Sequence, residues 1–192
     1  MSWLIVLVGY LVGSIPTAYI AGHLLKGKDI RQMGDGNMGA RNAFFELGAK
    51  TGITIFFIDA GKGALAILIA HQANLSQTTA LLTGTAAIIG HNWPVFIGFR
   101  GGRGEATAIG VLLSLVTQPM LILMGPALAI LFIRKNVILA SAVLFIPLSL
   151  VCWLLGVSGL LIAYSIALPC LVGFTHFLRT RQIAHASDTG SS

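Results

Sequence analysis

Charge is scarce in this chain. Only 9% of its 192 residues are Asp, Glu, Lys or Arg, while 56% are hydrophobic, which excludes a soluble domain of this size. Acid is scarcer than base: six Asp and Glu accompany twelve Lys and Arg, for a formal net charge of +6. Cysteine is nearly absent. Cys152 and Cys170 lie in apolar helices with no CxxC pattern and no His partner at ligand spacing, which excludes a disulfide framework or a thiolate metal site and leaves two small hydrophobes. No basic n-region opens the chain and no cleavage site follows, so the first apolar segment is expected to be a retained helix.

What is abundant is long apolar sequence, over residues 3–25, 53–70, 79–96, 106–133 and 137–177. A membrane span needs about 20 such residues. The last stretch is therefore two helices, interrupted between Gly156 and Gly159, and Pro16 is expected to kink the first. The fourth stretch is ambiguous by length, and charge decides it. Lys26, Lys28, Arg31, Arg41 and Lys50 crowd the first loop, residues 71–78 carry no Lys, Arg, Asp or Glu, and Arg100, Arg103, Arg134, Lys135, Arg179 and Arg181 follow. Cytoplasmic loops collect Lys and Arg. Only a double pass through residues 106–133 keeps every strong base on that side, with Gln118 and Pro119 as the expected break. The expectation is an all-α integral membrane protein of about seven transmembrane helices, N-terminus out and C-terminus in, the fourth and fifth short or re-entrant. It forms one transmembrane domain, residues 1–183, followed by a disordered polar tail, residues 184–192.

Glycine-rich segments punctuate the apolar ones: GDGNMGARN at 34–42, DAGKG at 59–63 and GHNWPVFIGFRGGRGEAT at 90–107, each with basic residues. Free backbone N–H groups beside cations make anion sites, above all where a glycine turn enters a helix. GDGNMG fits GxGxxG, but no strand precedes it, so a dinucleotide fold is excluded, and GFRGGRG lacks the GK[ST] ending of a nucleotide-hydrolysing loop. Gly61, Gly63, Ala64 and Ala66 suit close helix packing, whereas Asp59 and Lys62, an i, i+3 charged pair in a membrane helix, demand a partner or a function. His91 and Asn92 open the segment that continues into Arg100, Gly101, Gly102 and Arg103, which makes them candidates for substrate contact.

These residues carry a resemblance. Gly13-Ser14-Ile15-Pro16, Lys28-Asp29-Ile30-Arg31 ahead of residues 34–42, residues 59–63 and residues 90–107 follow the order GSIP, GSGNxGATN, DxxKG and GHxFPVFxxFKGGKGVAT. Over nearly its whole length the chain resembles the bacterial acyl-phosphate:glycerol-3-phosphate acyltransferase family. The resemblance implies seven passes, a cytoplasmic active site in the bacterial inner membrane, and transfer of a fatty acyl group from acyl phosphate to the sn-1 hydroxyl of glycerol 3-phosphate, a step of phospholipid biosynthesis. It implies the lipid bilayer and a soluble acyl-phosphate-producing enzyme as partners, no nucleic acid, no cofactor and no metal. Acyl phosphate is already activated and no Ser-His-Asp pattern is evident, so positioning and charge stabilisation remain for the protein. Arg100, Arg103 and the amides of Gly101, Gly102 and Gly104 would hold the donor phosphate, with Thr107 closing the same segment. Asn37, Asn42 and Lys62 would orient the acceptor or its loop, beside Asn92. The general base would be the donor phosphate, His91 or His176.

Several positions depart from the family pattern. Its serine is Asp35, its threonine Arg41, and the arginine four residues later is Phe45, one turn from Arg41 on the same helix face. Arg41 could deliver a guanidinium there or neutralise Asp35. Both lysines of the GGKG loop are arginines, its valine is Glu105 at a helix N-terminus, and an asparagine near the tail is Arg179; His176 and Ser141 match. The departures keep open a diverged paralogue with an altered acceptor, or a lipid-binding protein without turnover. A small-molecule transporter fits poorly, because the charges cluster at one face, not the midplane.

Overall fold

The computed structural model describes residues 2–189, with side chains through residue 180. Among the described residues the chain is helical, with no strand. Helix α1 (Ser2–Gly13) and α2 (Thr17–Lys26) are one membrane segment broken at Pro16, as the missing N–H of proline requires. The loop after Lys26 carries a 3-10 turn (Ile30–Gln32) and α3 (Ala40–Glu46), then leads into α4 (Ala49–Gln72). Ser76 caps α5 (Gln77–Asn92) by accepting the Thr79 N–H at 3.3 Å.

The fourth apolar stretch is two helices, α6 (Glu105–Leu115) and α7 (Thr117–Arg134). The break falls at Val116, however, and not at Gln118 and Pro119, which lie in the first turn of α7. Proline is tolerated there because first-turn N–H groups have no helical acceptor to lose. Helix α6, at about 16 Å for its length, is too short to cross a bilayer; six segments, 2–26, 49–72, 77–97, 117–134, 137–154 and 159–180, are long and apolar enough to do so. The next segment is itself broken, into α8 (Val137–Phe145) and α9 (Leu148–Leu154), around Pro147. Ser141 in the second turn of α8 bonds to Glu105 at the start of α6, so the turn at Arg134 and Lys135 lies at the same end of the bundle as the GGRG loop. A double pass predicts that arrangement.

Helix α10 (Gly159–Thr189) ends the described residues, and between Gly173 and Gly190 the sequence has neither Gly nor Pro to stop it. Residues 190–192 of the tail expected from residue 184 lie outside the described residues.

Small residues let the helices meet backbone to backbone. Gly13 lies on the Ala87 backbone and Gly90 on that of Tyr10, locking α1 to α5, while Gly63 meets Thr107 and Gly110 meets Ala60 between α4 and α6. Gly61, by contrast, faces open space. Ile67, Ile88, Val111, Leu112, Leu148 and Leu168 fill the interior, and exposed Trp3, Phe57, Phe132, Ile146 and Trp153 form the apolar outer surface that lipid contact requires.

Candidate functional site

The GGRG loop folds back on the end of α5. The Gly101 N–H donates to the Asn92 carbonyl at 3.1 Å and the Gly102 N–H to the His91 carbonyl at 3.0 Å, satisfying carbonyls left without partners at the helix end. The chain then turns into α6 through Gly104, at φ +81°, a left-handed conformation that favours glycine. This turn carries Arg103 into the space between the first loop and α10. Its Nη1 lies 3.3 Å from His176 Nδ1, its Nη2 lies 4.0 Å from Asp35 Oδ2, and its buried Nε has no hydrogen-bond partner.

Asp35 is held by its own loop. Its Oδ1 accepts the Asn37 N–H at 3.0 Å, while its own N–H donates to Asn42 Oδ1 at 3.2 Å. The Asn42 amide, almost fully buried, points its Nδ2 at the carbonyls of Ile30, Met33 and Asn37. Asn42 therefore shapes the loop from inside. Arg41 extends over the Phe45 ring, 5.4 Å from its centroid, and its Nη1 stands 3.5 Å from Asp35 Oδ2. Asp35 thus faces two guanidinium groups, from the first loop and from the GGRG loop.

A second polar cluster is enclosed. Lys62 Nζ donates to Asp59 Oδ1 at 2.6 Å and to the Ile15 carbonyl, beside the Pro16 break, at 2.5 Å. Thr17 Oγ1 donates to the same carboxylate oxygen at 3.1 Å, and His91 Nδ1 lies 3.8 Å from it. Asp59, Lys62 and His91 are each at most 5% exposed. They join α4, the α1–α2 break and α5.

Between the α5–α6 loop and α10 opens a cavity of about 590 Å³, lined by Trp93, Phe99, Arg100, Leu178 and Arg179 among others. Arg179 Nη2 also donates to the Asn92 carbonyl at 2.9 Å, and Asn92 Nδ2 to Thr175 Oγ1 at 3.2 Å. Asn92 Oδ1 and Thr107 Oγ1 are buried without partners. Basic groups beside apolar walls suit an amphiphilic anion.

A model of the family described as glycerol-3-phosphate acyltransferase matches residues 3–186. The chain is 53% identical over 182 residues to glycerol-3-phosphate acyltransferase 4 of Dehalococcoides mccartyi, covering 95% of this chain and 98% of that one. This chain belongs to the glycerol-3-phosphate acyltransferase family. Its fold agrees with crystal structures of PlsY (YgiH), an integral membrane glycerol 3-phosphate acyltransferase. The glycerol 3-phosphate form matches with a TM-score of 0.84 at 32% identity, and the lysophosphatidic acid form with 0.79 at 31%; each match covers 96% of this chain and 92% of the other.

Within this acyltransferase the site residues expected from sequence fall into separate groups. Asp35, Arg41, Arg103 and His176 converge, with Asn37 and Asn42 shaping their loop. Arg100 and Arg179 share the neighbouring cavity. His91 and Lys62 meet in the enclosed cluster, where both face Asp59. The amides of Gly101 and Gly102 are engaged by α5 carbonyls, and Ser141 bonds to Glu105 and to the Val137 carbonyl across the start of α8. Two bracing residues went unassigned in the sequence. Arg31 donates from Nη1 to the Ile97 carbonyl at 3.0 Å and grips Asp29 through Nε and Nη2, tying the first loop to the α5–α6 loop. The Arg31 hydrogen bonds hold the Asp29 carboxyl below the usual carboxylate range, against the opposing effect of burial. Thr17 had no motif to mark it; the short Asp-x-Arg spacing of Asp29 and Arg31 was a visible signal. Among the described residues no group of three His, Cys, Asp or Glu is arranged to hold a metal ion.

Proposed function

We propose that the protein transfers a fatty acyl group from acyl phosphate to the sn-1 hydroxyl of glycerol 3-phosphate, on the cytoplasmic side of the bacterial inner membrane. The observation that carries this reading is Arg103: a guanidinium set between Asp35 and His176, with an unpartnered buried Nε, next to a basic cavity at one end of a membrane bundle. An under-satisfied guanidinium is a receptor for a phosphate oxygen. The relatives act on glycerol 3-phosphate by their names, and the concentration of Lys and Arg in the loops at this end supports the cytoplasmic assignment.

In this mechanism Arg103 and Arg100 hold the donor phosphate, with Arg179 beside them, and the apolar walls at Trp93, Phe99 and Leu178 receive the start of the acyl chain. The acceptor hydroxyl oxygen attacks the acyl carbon, the bond from that carbon to the phosphate oxygen breaks, and the hydroxyl proton leaves on the departing phosphate. Arg103 stabilises the charge gathering on that phosphate. His176, beside Arg103, is the side-chain alternative for the proton; His91 is enclosed with Asp59. A soluble enzyme that makes acyl phosphate would deliver it to this face.

Purified protein given palmitoyl phosphate and glycerol 3-phosphate should yield 1-palmitoyl lysophosphatidate, identified by mass spectrometry and by a regiospecific lipase, and Arg103→Ala should lower the rate about tenfold or more. Product formed from palmitoyl-CoA but not from palmitoyl phosphate would refute the donor assignment.

A further inference from the structure

We propose that Asp35 is a specificity-determining residue that acts as a resident anion: its carboxylate stands where a ligand phosphate must approach Arg103, and Arg41 is the cation that draws it aside. The inference rests on the phosphate-binding role given to Arg103 above. Asp35 Oδ2 faces both guanidinium groups, 3.5 Å from Arg41 Nη1 and 4.0 Å from Arg103 Nη2. Neither distance is that of a formed hydrogen bond, so Oδ2 is shared between the two arginines and bonded to neither. Arg103 meanwhile is incompletely satisfied, with its Nε unpartnered and its other contact being a histidine ring nitrogen. Arg41 is over half exposed and lies along Phe45, whereas Arg103 is 18% exposed. The exposed arginine can follow the carboxylate outward; the enclosed one cannot. A phosphate reaching Arg103 Nε and Nη2 therefore competes with Asp35, and the competition ends with Asp35 on Arg41.

The loop geometry survives loss of the charge. Asp35 Oδ1 only accepts the Asn37 N–H, and the Asp35 N–H donates through the backbone; an asparagine side-chain oxygen can accept the same bond. Charge can thus be removed without rebuilding the turn. The device makes affinity for anions weaker than the arginines alone would give, so small anions are rejected and only a ligand with additional contacts is retained, which is selectivity by an opposing element.

The test is calorimetric titration of the full-length protein in detergent micelles with two probes, inorganic phosphate and glycerol 3-phosphate. Asp35→Asn and Asp35→Ser should each tighten inorganic phosphate binding about tenfold, and glycerol 3-phosphate binding by less. Arg41→Ala should weaken phosphate binding in the wild-type background and have little effect in the Asp35→Asn background, because Arg41 acts through Asp35. Unchanged or weaker phosphate binding in Asp35→Asn overturns the proposal, as does an equal Arg41→Ala loss in both backgrounds, which would mean that Arg41 touches the ligand itself. Tighter phosphate binding without any binding of glycerol 3-phosphate would leave Asp35 as assigned and count against the acceptor.

Discussion

Gly102 lies against the imidazole of His91, so close that a Cβ on it would meet Nε2. The ring cannot retreat, because His91 is buried and its other nitrogen faces Asp59. Gly102→Ala should therefore push the GGRG loop off the end of α5 and move Arg103, at about 1–3 kcal/mol of strain. Acyltransferase activity should fall at least tenfold while Gly61→Ala, where nothing lies near, leaves activity and melting temperature unchanged. Comparable rates for the two variants would show that the loop position does not matter to the reaction.

The Asp59–Lys62 pair predicts a stability effect. Removing Lys62 strands a buried carboxylate, and breaking such a pair costs about 3–5 kcal/mol. Lys62→Met should therefore lower the melting temperature in detergent sharply, and Asp59→Leu combined with Lys62→Met should recover much of the loss. If Lys62→Met leaves melting unchanged and only weakens use of glycerol 3-phosphate, Lys62 belongs to the acceptor and not to the frame.

A double pass through residues 105–134 would set the side on which the following turn lies. With the turn at Arg134 and Lys135 at the same end as Glu105, a cysteine replacing Asn136 should be shielded from an impermeant thiol reagent in intact cells and labelled once the membrane is opened. Labelling from outside would put the GGRG loop on the outer face as well.

Acid should loosen the first loop. Asp29 is ionised in the fold well below its usual range because of Arg31. A depressed carboxyl contributes stability that is present above its unfolded value, about pH 4, and is lost as pH falls through the folded value. As pH falls below about 4 the wild type should thus lose melting temperature faster than Asp29→Asn. Parallel curves would remove the Asp29–Arg31 brace from the account.

How much of this was legible without coordinates depended on the kind of signal. Hydrophobic length and the placement of Lys and Arg gave the helices and the division of the fourth apolar stretch into two, since both follow from the bilayer acting as solvent. The break at Val116 was not legible, because Pro119 signals a helix boundary without saying on which side of it the boundary falls. Among the site residues, Asp35, Arg41 and Arg103 were visible as charged departures in glycine-rich loops, and Arg41 stands both over the Phe45 ring and 3.5 Å from Asp35. The enclosure of His91 and Lys62 was hidden. His91 shares its segment with Arg100 and Arg103, but in the fold it faces Asp59 of α4, and the Ile15 carbonyl and Thr17 at the Pro16 break, from a distant part of the chain, complete the cluster around Lys62 and Asp59.

Direct transfer, as proposed, would align two phosphates and form no acyl-enzyme. The measurement closest to it is rapid-mixing phosphate release from palmitoyl phosphate at high protein concentration, with and without glycerol 3-phosphate. Direct transfer predicts that phosphate appears only when the acceptor is present, in equal amount to lysophosphatidate. A burst of about one phosphate per protein without acceptor, with palmitate retained on the chain, would contradict it.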